Sequence, residues 1–486
     1  MSQDQTPGTT GLIMDEPLIF ERGQKGRSGF SMPARDVPAA KVPDDLKGEA
    51  PDLPDLSEIE VVRHYTRLSQ YNFGVDSGTY PLGSCTMKYN PKINEKLAGL
   101  PGFASAHPLA PQSLSQGALR LMFELQDFLG EITGLRGVSL QPAAGAHGEY
   151  AGMRIFHAWH RKKGKQRHKV LIPDTAHGTN PASAALCGFR AVPVESNEQG
   201  ILSAEGVARL MDEDTAGLMV TNPNTLGLFE ENIKEVAAAV HAKGGLIYCD
   251  GANFNALMGI VDMETTGIDI LHLNLHKTFA TPHGGGGPGS GPICVTRELE
   301  PFLPIPRIVK KNESFALSED YPDSLGRLHS FFGNFGVMIK AYAYILSLGP
   351  LLKSVSQTAV LNANYLKERL KKTLHLPYDR PCMHECVFTD KFQQEYGIST
   401  LDIAKGLIDL GYHPPTIYFP LVVQGAMMVE PTESETKEDL DNLVLAFERV
   451  AEQAREDPDK LHQAPVKTKV KRLDETLAAR KPCLTG

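Results

Sequence analysis

The chain has 486 residues, of which 41% are hydrophobic, 22% charged and 7% aromatic, a composition that can bury a sizeable core and excludes collagen-like, coiled-coil and wholly disordered architectures. Against 49 Lys and Arg stand 58 Asp and Glu, a formal charge of −9 at pH 7, so general attraction to a nucleic-acid backbone is disfavoured. The length allows about three domains, or one large α/β domain with a smaller appendage.

There is no run of about 18 uninterrupted apolar residues, so no membrane span is expected. The nearest stretch, Gly336 to Leu352, contains Lys340, Gly349 and Pro350 and reads as a buried helix with its stop. The first residues include Asp4, Asp15 and Glu16 without an apolar segment, unlike a secretory signal or an Arg-rich transit peptide. The odd set of scattered cysteines, Cys85, Cys187, Cys249, Cys294, Cys382, Cys386 and Cys483, points to a reducing compartment, so a cytoplasmic location is expected. Cys382 and Cys386 lack a second Cys or His pair at finger-like spacing, and no metal site is expected.

Residues 1–75 read as a Pro- and Gly-rich arm followed by a helix from Ser57 to Gln70, where Ser57 and Glu60 have capping-box spacing. Residues 76–330 read as a large α/β domain. It opens with the dense loop Tyr80 to Pro91 and an amphipathic helix over Gly117 to Thr133, with Leu121, Leu125, Phe128 and Ile132 at helical spacing. Short apolar strands are then predicted at Val170–Ile172, Gly217–Thr221, Leu246–Cys249, Ile270–Leu273 and Ile293–Val295, with helices at Ala204–Met211 and Asn232–Lys243. This alternation implies a mainly parallel sheet covered by helices on both faces, with its ligand at the carboxyl ends of the strands. Residues 331–465 read as a smaller α+β domain and residues 466–486 as a basic surface tail. Its predicted helices are Phe331–Leu348, Val360–Thr373, 399–410 and 436–455, and its strands are Glu385–Phe388 and Ala426–Val429.

Chemistry concentrates around Asn274-Leu-His-Lys-Thr, which is followed by six glycines in the eight residues Gly284 to Gly291. So many glycines are costly to order, and close backbone approach to something is implied. A phosphate loop of the Walker type places its lysine after the glycines, whereas Lys277 precedes them. A lysine at a strand end can instead form a Schiff base when partly desolvated. Asp250 ends the preceding strand, and a carboxylate there can hold a pyridine nitrogen protonated. Gln141 to Glu149 precedes a helix-like run, so Gly145 and Ala146 can offer free N–H groups to a phosphate. His177 follows the Val170 strand and reaches another carboxyl end.

The order of small-residue turn, His177, Thr221-Asn-Pro-Asn-Thr225, Asp250-Gly-Ala-Asn253 and His276-Lys277 resembles the large domain of the fold type I pyridoxal-phosphate transferases. Tyr80 to Pro91, Ser139 to Met153, Ala176 to Ala184, Thr221 to Glu230 and His272 to Gly291 resemble, more closely, the lysine-bearing half of the glycine decarboxylase (glycine cleavage P-protein) family. The resemblance runs from about Pro17 to Leu484. It implies a sheet of the seven-stranded type and pyridoxal 5'-phosphate bound covalently to Lys277. Asp250 would face the ring nitrogen, His177 and Ala252 the two ring faces, and Asn253 or Asn222 the phenolic oxygen. Gly145, Ala146 and His276 would hold the phosphate. Where many relatives carry Ser three residues before the lysine, this chain has Asn274.

The resemblance further implies decarboxylation of glycine, with transfer of an aminomethyl group to the lipoyl arm of a carrier, the H protein. It also implies a first, lysine-lacking subunit in a heterotetramer of two copies of each chain. The loop around Ser84 to Lys88 is expected at the interface or site, and the Gly284 to Gly291 loop as a cover. Arg327, His283 and His384 are candidate ligands of the glycine carboxylate. The alternatives are another fold type I activity, an aminotransferase or cysteine desulfurase, and a non-catalytic assembly subunit.

Overall fold

The computed structural model describes residues 16–49, 51–284, 288–330 and 332–484. The central part of the glycine loop, residues 285–287, therefore lies outside the described residues, and with it part of the expected cover. The chain divides into two compact units, Met1–Ser77 and Gly78–Gly486. In the first, the expected helix spans Glu58–Ser69. Its start is closed by the Ser57 N–H donating to Glu60 Oε2 at 2.8 Å. Buried Glu16 accepts from Arg67 at 2.8 Å and lies 2.8 Å from His64 Nδ1.

The second unit is built on seven strands: β1 Gly137–Ser139, β2 Lys169–Pro173, β3 Arg190–Val194, β4 Thr215–Thr221, β5 Leu246–Gly251, β6 Ile270–Leu273 and β7 Ile293–Val295. They form one sheet in the order β1-β7-β6-β5-β4-β2-β3. All neighbours from β6 to β3 run parallel, and β7 is antiparallel to both β6 and β1. The expected α/β class and mainly parallel sheet are thus present. Side chains alternate between two cores: Ile247, Cys249 and Leu271 pack on one face, Tyr248, Met219 and Ile270 on the other. That two-sided burial is why these strands read as continuous apolar runs.

Two sheet strands escape sequence reading. β1 has only three residues, and β3 is a half-exposed edge strand containing Pro193, which an edge tolerates because one row of its backbone groups needs no ladder partner. Helix Gly145–Lys162 lies close on the sheet at its glycines. A Cβ at Gly148 would stand 2.7 Å from His272 Cβ, and one at Gly152 2.3 Å from the Tyr248 ring.

The C-terminal part carries β10 Cys386–Thr389, β11 Thr416–Ile417 and β12 Ala426–Val429, antiparallel in the order β10-β12-β11. A two-stranded hairpin, β8 Arg307–Lys311 and β9 Ser314–Ser318, precedes them. Helices Leu352–Leu370, Thr400–Asp409 and Lys437–Glu456 cover the three-stranded sheet.

The expected boundary at residue 330 falls too early. Helix Phe335–Leu348 places Val337, Met338, Ile339 and Ala341 in the same core as Leu125, Leu129 and Ile247, whereas the small core gathers residues from Ala363 onward. An apolar stripe shows that a helix is buried but not which core receives it. Phe335–Leu370 has the length and apolarity of a membrane span, yet its first helix buries Val337, Met338 and Ile345 inside this unit and stops at Gly349. Conversely, the Tyr80 to Pro91 loop, assigned above to the large domain, runs along the small sheet through a Leu82–Val429 bridge.

Gly217 in β4 sits where a Cβ would stand 2.0 Å from the Leu246 carbonyl oxygen and 2.7 Å from the Phe156 ring. Gly217→Ala should therefore force β4 and β5 apart and cost about 1–3 kcal/mol. The check is a lower midpoint in urea unfolding of the full chain.

Candidate active site

β4, β5 and β6 end side by side, with Thr221 paired to Asp250 and Asp250 to His272 in register. Beyond this edge lies a cavity of about 180 Å³. Its wall includes Lys277, Asp250, His177, His276, Gly145, Ala146, Ala252 and Asn253, together with Ser84, Thr221 and Asn274. A wider depression of about 480 Å³, lined by residues such as Arg154, Arg161 and Lys165, contains none of these strand ends. Size alone does not locate the chemistry.

Asp250 is almost fully buried. One oxygen accepts from Asn180 Nδ2 at 3.0 Å, and the other accepts the Ala252 N–H at 2.9 Å and lies 3.3 Å from His272 Nε2. His272 Nδ1 in turn meets the Tyr248 hydroxyl at 2.5 Å. Lys277 lies on the single helical turn Leu275–Thr278 that follows β6, and its Nζ donates to the Ser84 carbonyl at 2.8 Å. His177 stands in the turn before helix Thr179–Leu186. Its Nδ1 accepts the Thr179 N–H at 3.2 Å, and its ring meets Phe419 edge-on at 5.4 Å.

At the other end of the cavity, helix Gly145–Lys162 begins without a side-chain cap. The first N–H groups of any helix have no partner within it, and here Gly145 and Ala146 line the cavity. A Cβ at residue 145 would stand 2.8 Å from Asn274 Oδ1, so a larger residue there would displace the Asn274 amide. His276 Nδ1 accepts the Ser290 N–H at 3.3 Å. Burial, followed by the neighbouring His283 and Lys277, pushes this imidazole down to about 3. It is therefore neutral near pH 7 and carries its proton on Nε2, as a donor.

Asn222 does not line the cavity. Its side-chain oxygen accepts the Glu230 N–H at 3.1 Å, while Asn224 accepts from Leu226 and Leu228 at 3.0 and 3.2 Å. The Asn-Pro-Asn turn uses these amides to satisfy its own backbone, which withdraws Asn222 from the role expected above. Asn253 takes the other course: Nδ2 donates to the Pro223 carbonyl at 2.9 Å, and Oδ1, on the cavity side chain, has no partner. Arg327 is exposed and paired with Glu319, away from the wall. His283 packs edge-on against His276 at 5.2 Å, and His384 is wholly buried between Glu385 and Glu430.

The donor set fits a phosphorylated pyridine. Buried oxygens of Thr221, Asn253 and Asn274 on the cavity wall lack partners, and buried polar atoms are rarely left so without a ligand. A helix N-terminus suits a phosphate, and a buried carboxylate stands across from an amine. Sequence reading placed the Ser84 loop at the interface or site but gave no individual role to Thr221, Glu149 or Asn180, which lie within segments it singled out. Glu149 accepts from Thr179 and Ser183, each at 2.7 Å, and so steadies the His177 turn.

This sheet and site define a fold type I pyridoxal-phosphate enzyme. Residues 149–297 match the class-V aminotransferase family, and residues 355–472 match the family described as glycine dehydrogenase, C-terminal domain. A Listeria welshimeri protein named "Probable glycine dehydrogenase (decarboxylating) subunit 2" is 55% identical over 96% of this chain and 97% of its own. Its Bacillus licheniformis namesake is 53% identical over 97% and 98%. The chain belongs to this glycine dehydrogenase (decarboxylating) subunit 2 family, and its cofactor is pyridoxal phosphate. Among solved structures, an inhibitor-bound glycine decarboxylase (P-protein) superposes with a TM-score of 0.71 at 21% identity, covering 84% of this chain and 93% of its own. A cysteine desulfurase from Thermococcus onnurineus gives 0.62 at 16% identity, covering 78% and 95%. Both share the fold.

Burial also depresses His283, to about 4, with Lys277 adding to the effect. An unfolded chain takes up these protons near the ordinary value of 6.5. Stability from these two groups is therefore complete above about 6.5 and lost progressively as pH falls through about 4 toward about 3. The urea midpoint should drop between pH 7 and pH 5, and His283→Asn should flatten that slope.

Proposed function

We propose that this chain is the lysine-bearing catalytic subunit of a glycine cleavage decarboxylase. It releases CO2 from glycine and passes the remaining aminomethyl group to the lipoyl arm of a carrier H protein. The observation that carries this reading is the placement of Lys277 and Asp250 on one small cavity that also receives the N-terminus of helix Gly145–Lys162. The family membership supports it throughout.

Lys277 would hold the cofactor covalently and yield it to the amine of glycine. Asp250 would keep the ring nitrogen protonated, held to this task by Asn180, the Ala252 N–H and His272. His177 and Ala252 would flank the ring, and the partnerless Asn253 oxygen would face its polar edge. The N–H groups of Gly145 and Ala146 and the neutral His276 would take the phosphate. When bound, the cofactor supplies an electron sink for the bond broken at the glycine α-carbon. Released Lys277 has the Ser84 carbonyl within reach as a hydrogen-bond acceptor.

A partner subunit is implied by the "subunit 2" name of the relatives, and a heterotetramer of two copies of each chain agrees with it. The odd number of cysteines, seven, accords with a cytoplasmic setting. No described cysteine lines the cavity, and burial pushes the nearby Cys85 thiol up to about 11, which disfavours a desulfurase. Retention of both Lys277 and Asp250 disfavours a non-catalytic assembly subunit.

The test is exchange of labelled CO2 into the carboxyl of glycine by this chain with its partner subunit and a lipoyl carrier. Lys277→Ala should abolish borohydride-trappable cofactor and lower exchange by about a thousandfold or more. Asp250→Asn should keep the covalent attachment yet lower exchange by about a hundredfold. Turnover of another amino acid with no exchange into glycine would overturn the assignment.

A further inference from the structure

Two glutamates behind the cavity have no part in the binding scheme above. Glu385 immediately precedes β10 and Glu430 immediately follows β12, and because Cys386 pairs with Val429 the two face each other across the small sheet. Both are buried, with His384 beside them at 3.8 Å from each. The three could be taken for metal ligands, but all four carboxylate oxygens already accept protein hydrogen bonds. Glu385 accepts the Ser84 N–H at 2.8 Å and the Asn253 amide at 3.5 Å. Glu430 accepts the Thr86 N–H at 2.9 Å and the Thr86 hydroxyl at 2.5 Å.

Ser84 and Thr86 are the residues that need such support. Their φ values are 64° and 46°, a left-handed backbone that side chains with a Cβ disfavour. Such conformations persist only where the surroundings impose them, and they gather at functional sites. Just before them the loop is tied to the same sheet: Leu82 bridges Val429, and the Thr416 hydroxyl donates to the Gly83 carbonyl at 2.7 Å. The product of this restraint is a single carbonyl, that of Ser84, directed at Lys277 Nζ.

We propose that Glu385 and Glu430 are positioning residues for Lys277: by holding Ser84 and Thr86 left-handed, they keep the Ser84 carbonyl as the resting acceptor of the lysine ammonium whenever that amine is not joined to the cofactor. The proposal rests on Lys277 being the attachment residue. A carbonyl acceptor favours the ammonium over the neutral amine, and only the neutral amine attacks a carbonyl carbon. The strap therefore sets the pH at which Lys277 engages and returns the amine to one place after each turnover. Lys277 also faces the Cys85 thiol, the imidazoles of His276, His283 and His384, and the Glu385 carboxyl. Burial, then the charge of Glu430, pushes the Glu385 carboxyl well up.

The test is the pH profile of borohydride-trapped cofactor in the full chain, assembled with its partner subunit. Glu385→Ala and Glu430→Ala should move the midpoint down by about one pH unit, a tenfold change in neutral amine. Glu385→Gln and Glu430→Gln, which keep acceptors for the loop, should stay near the wild-type midpoint. Thr86→Val, which removes only the hydroxyl bond to Glu430, should shift it in the same direction and serves where an Ala variant does not fold. Gln variants shifting as far as Ala variants would reveal a bare charge effect and overturn the proposal. So would an unchanged midpoint in Thr86→Val and in the Ala variants that fold. Absence of trapping in the wild-type chain would instead remove the Lys277 assignment on which it stands.

Discussion

Three parallel strands ending level with one another govern this molecule. The register that pairs Thr221 with Asp250 and Asp250 with His272 is set by main-chain hydrogen bonds, so a hydroxyl, a carboxyl and an imidazole are fixed side by side before any ligand arrives. Side-chain entropy has little to lose at this edge, because Tyr248, His272, Asn180 and the Ala252 N–H already restrain the carboxylate. Preorganisation of this kind lets a buried charge act on a bound ring without reorganising at the moment of reaction. Helix Gly145–Lys162 can bring its N-terminus to the same edge only because Gly148 and Gly152 let it lie against His272 and Tyr248.

Burial sets the protonation of two imidazoles at the cavity. His276 and His283 are driven neutral by loss of water, and the nearby ammonium reinforces the effect. Glu385 moves the opposite way for the same reason, since burial always penalises the charged form. A hydrogen bond to a charged group contributes only about 1.5–3 kcal/mol, while an unpaired buried one costs at least as much. The site accordingly spends few unpartnered polar atoms, and those of Thr221, Asn253 and Asn274 lie in residues that line the cavity.

The sheet and helices are shared widely: the inhibitor-bound decarboxylase and a cysteine desulfurase superpose on this chain at only 21% and 16% identity. A fold that hosts several chemistries cannot choose among them. Beside the site, the loop from Thr79 to Tyr89 is anchored by hydrogen bonds from several segments. Lys88, buried within it, donates to Asn255, Tyr344 and Glu433 at 2.8, 3.1 and 2.9 Å. Lys88 thus ties the loop to the large core as well as to the segment that follows the small sheet.

Much of this was legible in the order of residues along the chain. Apolar runs long enough for two-sided burial marked β2 and β4 to β7, and caps such as Ser57 with Glu60 marked helix starts. Lys277, Asp250 and the Gly145 turn could be named because each ends or begins an element, and a parallel sheet sends all such ends to one side. Short or edge strands such as β1 and β3 carry too few residues for a period to show. Asn222 and Asn253 are chemically alike, and only the fold of the turn directs one inward and the other to its own backbone. Glu385 and Glu430 lie 45 residues apart and become a pair through the antiparallel match of Cys386 with Val429. Local spacing determined which elements form and which residues sit at their ends. Contacts between distant segments, whose closeness depends on strand register and packing, decided which side chains meet, which are dried, and which carbonyl the lysine finds.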